Sequence, residues 1–331
     1  MEVWLHSFTF PGKVATRARE AERWGFTGML LADSQNLTAD IWVELALAGA
    51  ATSRLRLGPG VTNPVTRHPA VTASAAATLQ AETDGRAVLG IGRGDSALAQ
   101  IGRRPVPVGE LEHALQVLQG YLRGDTVQLT EDVTSTIRWL PSPGLPKVPV
   151  YVAATGPRTI AAAARHAEGV DLTVGAELER LRWATGAARA AAPAELTIGA
   201  YLNVAVDPDP DAARELVRGS TAIFARFATE GAPPSGLSDV TRRGIERLSS
   251  GYDKEHHGEA GAAYAQLLDS EFIDRFAIAG TPEQVRRRLE AIAEAGIQRV
   301  IVVPGSLDAD PHAVEQSNLR FVTEVLPALQ G

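Results

Sequence analysis

The chain has 331 residues, 45% of them hydrophobic and 5% aromatic, with a formal net charge of −7. This length and composition suit one large α/β domain whose core is mainly Ala, Val, Leu and Ile. The acidic balance without a basic block excludes nucleic acid as a natural partner, the absence of cysteine excludes disulfides, Cys-ligated zinc and iron–sulfur clusters, and no apolar run reaches the 18 residues of a membrane span. Met1–Phe10 lacks a charged start followed by an apolar stretch, so no signal peptide is expected, and the cysteine-free composition fits the cytoplasm.

In chain order, Val3–His6 reads as a strand and Lys13–Trp24 as a helix. Phe26–Ala32 is a second strand, ending at Asp33-Ser34-Gln35-Asn36, and Asp40–Thr52 is helical. Arg54–Val61 is a third apolar run, ending in Gly58-Pro59-Gly60. Pro69–Leu79 is small, apolar and free of Gly, which predicts a helix, and Ala87–Gly92 is a fourth strand that stops at Gly92-Arg93-Gly94-Asp95-Ser96. Strand, loop, helix, strand and Gly-rich loop make a βαβ unit. Glu110–Leu122 is a helix with Leu111, Leu115 and Leu118 on one face. Thr126–Lys147 reads as a hairpin excursion with a Pro-rich return. Val148–Ala153, Gly169–Val174 and Thr197–Val206 are strands, separated by helices over Gly156–His166 and Glu177–Ala192.

With Arg299–Val303 the count reaches eight strands, which favours a closed (β/α)8 TIM barrel over an open sheet. Asp207–Ile278 breaks the alternation and is expected to be a mostly helical insertion between the seventh and eighth strands, with a polar loop over Pro233–Glu259. Thr281-Pro282 and Gln284 predict a capping box at the start of a helix that ends at Gly296. The whole chain, 1–331, reads as one barrel domain.

Ligands of such barrels bind at the carboxyl ends of the strands, so the strand-end loops hold the candidate site. His6 ends the first strand and is either a proton donor near neutral pH or a packed structural group. Asp33 and Ser34 end the second strand and point into the mouth. Asn63, Thr66 and Arg67 follow the third, where Arg67 lines the mouth or pairs with a surface carboxylate. Backbone N–H groups in Gly92-Arg93-Gly94-Asp95 can hold an anion, with Arg93 adding charge and Asp95 opposing a bare phosphate. The other reading of that loop is a plain turn. Thr155-Gly156-Pro157 opens a helix with free N–H groups. His256-His257 beside Asp253, Glu255 and Glu259 reads as a solvated loop, so no metal is expected. No Ser-His-Asp signature, Walker loop or HExxH occurs.

Gly60-Val61-Thr62-Asn63-Pro64, Thr66-Arg67, Pro69-Ala70, Thr72-Ala73-Ser74 and Gly85-Arg86-Ala87-Val88-Leu89-Gly90-Ile91-Gly92 with Gly94-Asp95 form a nearly gapless block. This block resembles the luciferase-like flavin and deazaflavin oxidoreductases, and within them the methylenetetrahydromethanopterin reductase branch, which uses coenzyme F420. Weaker similarity follows at Val148–Pro157 and Asp269–Pro282.

The resemblance implies hydride transfer between bound F420 and a small organic substrate, a pterin or folate being one candidate. It implies a non-prolyl cis peptide bond at Gly60-Val61 that supports one face of the ring, with Thr62 and Asn63 beside it. It places the cofactor phosphate near Thr155-Gly156-Pro157 and Val174-Gly175-Ala176, and it implies a homodimer. Two departures stand out. The branch has a Glu where this chain has His6, and Asp-His where it has Asp33-Ser34. Other cofactor readings stay open: an FMN-dependent monooxygenase, an NAD(P)H-dependent reductase without flavin, and a flavin-binding protein without catalysis.

Overall fold

Parallel strands need helical crossovers, and helices then cover the outside of the sheet, so strand sequences become apolar at nearly every position. The computed structural model of the chain describes residues 1–140, 145–227, 237–249, 256 and 258–330. Strands β1 (Glu2–Ser7), β2 (Gly28–Leu31), β3 (Arg56–Pro59) and β4 (Leu89–Ile91) alternate with helices Val14–Arg23, Ile41–Ala50 and Pro69–Glu82. Helix Val108–Arg123 leads into an antiparallel hairpin of β5 (Val127–Thr130) and β6 (Val133–Ser135). The expected Pro-rich return falls partly on residues 141–144, outside the described residues. Strands β7 (Val150–Ala154), β8 (Gly169–Leu172), β9 (Thr197–Val206), β10 (Ile278–Gly280) and β11 (Arg299–Val303) follow.

Eight of these strands run in parallel in the order β3-β2-β1-β11-β9-β8-β7-β4. Parallel bridges Leu57–Ala87 and Thr62–Ile91 join β3 to β4 and close the ring. This is the TIM barrel that the alternation predicts. In the second bridge the Thr62 N–H donates to the Gly90 carbonyl while its own carbonyl accepts from Gly92. The chain between β9 and β11 carries helices Pro210–Phe227, Asp239–Ser249 and Ser270–Phe276. It also holds β10, which pairs with the far end of β9 at Val204–Val206 and which the sequence pattern did not reveal.

One expectation is corrected there. The stretch read as polar loop contains the helix Asp239–Ser249, which buries Ile245 and Leu248. Its polar composition hid a two-residue apolar stripe. That stripe packs so closely at Gly244 that a Cβ there would lie 2.1 Å from the Phe272 ring.

The strands bury two separate sets of side chains. Val3, Leu5, Met29, Leu57, Leu89 and Val150 face the helices. Trp4, Leu30, Val88, Tyr151, Tyr201 and Ile301 form a second cluster inside the barrel. Large rings fit there because neighbouring strands supply glycine: a Cβ on Gly28 would lie 2.3 Å from the Trp4 ring, and one on Gly169 would lie 2.5 Å from Tyr151.

A charged group also lies inside. Arg299 is fully buried, with its guanidinium carbon 4.0 Å from the Trp4 ring centroid and 4.1 Å from that of Tyr151. Asp171, equally buried, is 3.5 Å from it, close enough for ion pairing. Burial pushes the Asp171 carboxyl above its usual range, and Arg299 draws it back. Cation–π contact of a dry guanidinium contributes about 2 kcal/mol.

Removing one member of a buried pair leaves the other stranded, at a cost of about 3–5 kcal/mol. Asp171→Ala is expected to lose that much in urea unfolding, and Asp171→Ala with Arg299→Met to recover most of it. Strictly additive losses in the double variant would show that the two groups do not depend on each other.

Candidate active site

The carboxyl ends of all eight barrel strands open into one cavity of about 450 Å³. Its lining takes His6 from β1, Gly60 from the end of β3, Gly92 from the end of β4, Ala153 from β7, Tyr201 from β9 and Val303 from β11. Ala32 after β2 and Thr173 after β8 complete the circuit. Residues far apart in the sequence thus meet because each ends or follows a strand of the same ring.

The Gly60-Val61 peptide bond is cis, as the resemblance implied. Its surroundings hold it from beneath. His6 Nε2 lies 2.9 Å from the Gly60 carbonyl oxygen and donates to it. A Cβ on Gly60 would lie 2.7 Å from Leu30 Cβ, 3.1 Å from the Tyr201 hydroxyl and 3.2 Å from the His6 ring. The Tyr201 phenol is buried with no hydrogen-bond partner, and burial pushes its pKa up, so it stays neutral.

Burial lowers the His6 pKa from 6.5 to about 4, against a smaller upward pull from the Gly60 carbonyl. At neutral pH the ring is therefore uncharged, with its proton on Nε2 and Nδ1 buried without a partner. This departs from the sequence expectation of a proton donor near neutral pH. The physical reason is desolvation: a barrel position at the strand end is drier than the mouth above it.

Asp33 lines the cavity but its carboxylate is engaged. One oxygen accepts from Arg67 at 2.6 Å and the other from Gln35 at 2.7 Å. Arg67 also reaches Asp40 at 2.9 Å, and Asp40 accepts from Trp42 and Val43 at the start of helix Ile41–Ala50. Of the two readings of Arg67, pairing with carboxylates is the one seen. Ser34 lies beside Asp33 on the cavity wall.

The remaining sequence candidates divide. Gly60, Val61, Asn63, Gly92, Arg93, Gly94, Asp95, Thr155, Gly156 and Pro157 all line the cavity. Asn63 turns its own loop, accepting from Val65 and Thr66 at 3.0 Å each. Arg93 Nε donates to the Val106 carbonyl at 2.6 Å. Thr62 is wholly buried in the β3–β4 closure and does not reach the cavity. The lining also stops at Thr173, short of Val174, Gly175 and Ala176. These pack on Phe276: the Ala176 N–H donates to its carbonyl at 2.8 Å, and a Cβ on Gly175 would lie 2.7 Å from its ring.

Gly156 caps helix Pro157–His166 and brings no side chain to its first-turn N–H groups. A Cβ there would meet nothing within 4 Å. Free helix N–H groups at a cavity wall suit an anion. Arg158 and Thr159 of the same turn line the wall, and Thr155 Oγ1 pairs with Thr173 Oγ1 at 2.6 Å below it.

The ring order separates the wall into two kinds of surface. Strands β3, β4 and β7 carry Asn63, Arg93, Thr155 and Arg158. Across the barrel, β1 and the chain between β9 and β11 carry Phe8, Ile223, Phe224 and Phe227, with Leu307 after β11. Asp95 crosses the mouth to form an ion pair with Arg226 of helix Pro210–Phe227. Sequence reasoning missed Tyr201 and this apolar wall. Tyr201 lies on β9, which is buried at every position after Thr197, so no alternation marked its inward side.

Among the described residues no group of three or more His, Asp or Glu side chains is placed to hold a metal ion. The His256-His257 cluster lies largely outside the described residues, because 253, 255 and 257 do. No described helix is long and apolar enough to cross a membrane.

Comparison with known proteins gives three kinds of match. The family model for luciferase-like monooxygenases matches residues 6–299. The 5,10-methylenetetrahydromethanopterin reductase of Archaeoglobus fulgidus is 30% identical over 296 residues, covering 85% of this chain and 86% of that protein. The reductase of the same name from Methanopyrus kandleri is 31% identical over 322 residues and 88% of each chain. A solved structure described as the coenzyme F420 dependent tetrahydromethanopterin reductase from Methanopyrus kandleri has a TM-score of 0.73 at 26% identity. It covers 99% of this chain and 98% of that one.

The His6 environment sets a pH response. The unfolded chain takes up this proton near pH 6.5, and the folded chain only near pH 4. The contribution is therefore complete above pH 6.5 and is lost as pH falls towards 4, by about 3 kcal/mol at about 1.4 kcal/mol per pKa unit. His6→Gln keeps an N–H donor and cannot titrate. Urea unfolding at pH 7 and pH 4.5 is expected to show a smaller acid loss in the variant; equal losses would mean that His6 is not held neutral.

Proposed function

The chain belongs to the luciferase-like monooxygenase family and is an oxidoreductase, and from that premise we propose that it transfers hydride between coenzyme F420 and an organic substrate. The observation that carries the reading is one of assembly. Gly60-Val61, Gly92–Asp95 and Thr155–Pro157, which resemble the cofactor-binding parts of the reductase branch, line one continuous cavity.

The residues present fit such a group. Gly156 leaves backbone open to an anion, with clear space beside it, and Gly92 lines the cavity against the Val61 side chain. Arg93 and Arg158 stand at the wall, with exposed Arg103 and Arg104 on the adjoining segment. Several cations favour coenzyme F420, whose tail carries carboxylates beyond its phosphate, over FMN, which carries the phosphate alone. Bound in its reduced form, the deazaflavin supplies a hydride.

The chain's own part is placement. Gly60 and Val61 would support the ring, with His6 holding the Gly60 carbonyl and the Tyr201 phenol packed below. The helix start at Pro157 would hold the phosphate. Arg67 would fix Asp33 and, through it, the approach of Ser34 to the ring edge. The apolar wall would keep water from the reacting centre.

The same reading includes a homodimer. Helices Ile41–Ala50 and Pro69–Glu82 pack side by side and expose Val43 at 59%, Leu47 at 49% and Val71 at 56%. On the first helix every fully exposed residue is apolar. An uncharged, self-matching face suits a second copy of the chain related by twofold symmetry.

Titration with F420, FMN and NADH, each followed by fluorescence, tests the cofactor. F420 is expected to bind most tightly, and tight binding of FMN alone would reverse the assignment. Gly156→Leu is expected to weaken F420 binding at least tenfold with an unchanged melting temperature, because its side chain enters open space. For the dimer, Val43→Glu is expected to halve the mass seen by sedimentation; a monomeric wild-type protein would remove this part of the reading.

A further inference from the structure

We propose that the wall opposite the cation-bearing loops is a substrate subsite for an uncharged, mainly apolar molecule, and that Phe224 and Phe227 set this preference. The proposal rests on the oxidoreductase reading above but concerns a different surface of the cavity.

The first observation is a run of aromatic rings. His6 meets Phe8 edge-on at 5.6 Å between centroids and Tyr201 edge-on at 5.8 Å. Tyr201 meets Phe224 at 6.0 Å, and Phe224 meets Phe227 at 5.6 Å. Such spacings are those of packed aromatic pairs. All five side chains line the cavity. In a chain with 5% aromatic residues, this concentrates rings on one side of one site.

The second observation is the state of charge on that side. His6 is neutral at physiological pH. Arg226 and Asp95 pair with each other, and Asp33 is bound to Arg67. Among the described lining residues the cations are Arg93 and Arg158, which follow β4 and β7 across the ring of strands, while Arg226, 5.4 Å from the Phe227 ring, has Asp95 as its counter-charge. A carboxylate placed against Phe224 would give up its water for ring carbons, which costs far more than the contacts return. A ketone or alcohol of the same shape would lose little.

The third observation is rigidity. Ser306 Oγ accepts from Gly219 and Ser220 N–H at 2.9 and 3.3 Å and donates to the Leu216 carbonyl at 2.9 Å. It thereby fixes helix Pro210–Phe227 to the segment after β11. A Cβ on Gly219 would lie 2.5 Å from the Ala260 nitrogen, so another segment bears on the same turn. These contacts hold the helix that carries the apolar face against the barrel, and an apolar surface selects by shape and charge.

Acetophenone and benzoate have nearly the same shape and differ in charge. Titration calorimetry of the purified protein with each, with and without bound F420, reads the subsite directly. Acetophenone is expected to bind at least tenfold more tightly than benzoate. Phe224→Ala and Phe227→Ala are each expected to weaken acetophenone at least fivefold and to leave F420 affinity unchanged. Leu307, 45% exposed on the same wall, allows a gain of function: Leu307→Arg is expected to raise benzoate affinity at least fivefold. Benzoate binding as tightly as acetophenone to the wild type would overturn the proposal. So would acetophenone binding that neither Phe variant weakens. Failure of F420 to bind, with the ketone preference intact, would overturn the cofactor assignment and leave the subsite standing.

Discussion

A guanidinium buried away from the surface occupies the interior of the barrel below the site. Arg299 fills space between Trp4 and Tyr151 that apolar side chains would otherwise fill, and Asp171 supplies the opposite charge. Trp4 and Tyr151 enter the barrel where the next strand carries no side chain, at Gly28 and Gly169. Tyr201 and Val303 belong both to this inner cluster and to the cavity lining. Ligand space begins above that plug, where the strands end and the loops diverge.

The level above the plug is where neutral polar groups are buried. His6 and Tyr201 both lie under the Gly60 peptide, and neither carries charge at neutral pH. A charged histidine there would lose its hydration to burial. Neutrality is the consequence of packing a ring against Gly60 rather than a choice among acid–base roles. The Nε2–H is spent on the Gly60 carbonyl.

Much of this was legible in the sequence, for a definite reason. Strand ends that finish in Gly with polar residues, such as Gly92-Arg93-Gly94-Asp95, announce themselves because only a turn at a strand end uses that composition. The eight-strand count held because each apolar run was bounded by a polar, Gly- or Pro-containing segment. What stayed hidden depends on side-chain direction within wholly buried elements. Tyr201 could not be told from its neighbours on β9, since both sides of that strand are buried. Val174, Gly175 and Ala176 follow a strand end like the others, yet Phe276 covers them, and a cover arriving from about a hundred residues away leaves no local trace. The helix Asp239–Ser249 was hidden by its charges, with only Ile245 and Leu248 to mark its buried side.

The two-sided character of the cavity has a topological origin. In a ring of eight strands, β3, β4 and β7 stand opposite β9, β11 and β1. After β7 the chain runs straight into helix Pro157–His166, and a helix start offers N–H groups and a positive dipole end to whatever lies beside it. The second group is where the chain leaves the barrel pattern and adds helix Pro210–Phe227, which turns a side face towards the mouth and not an end. A helix side presents side chains, whereas a helix start presents backbone. The uncapped helix start at Pro157 therefore lies on one half of the wall. The other half is free to vary with the residues at 223, 224 and 227, and that is where members of one fold can differ in what they accept.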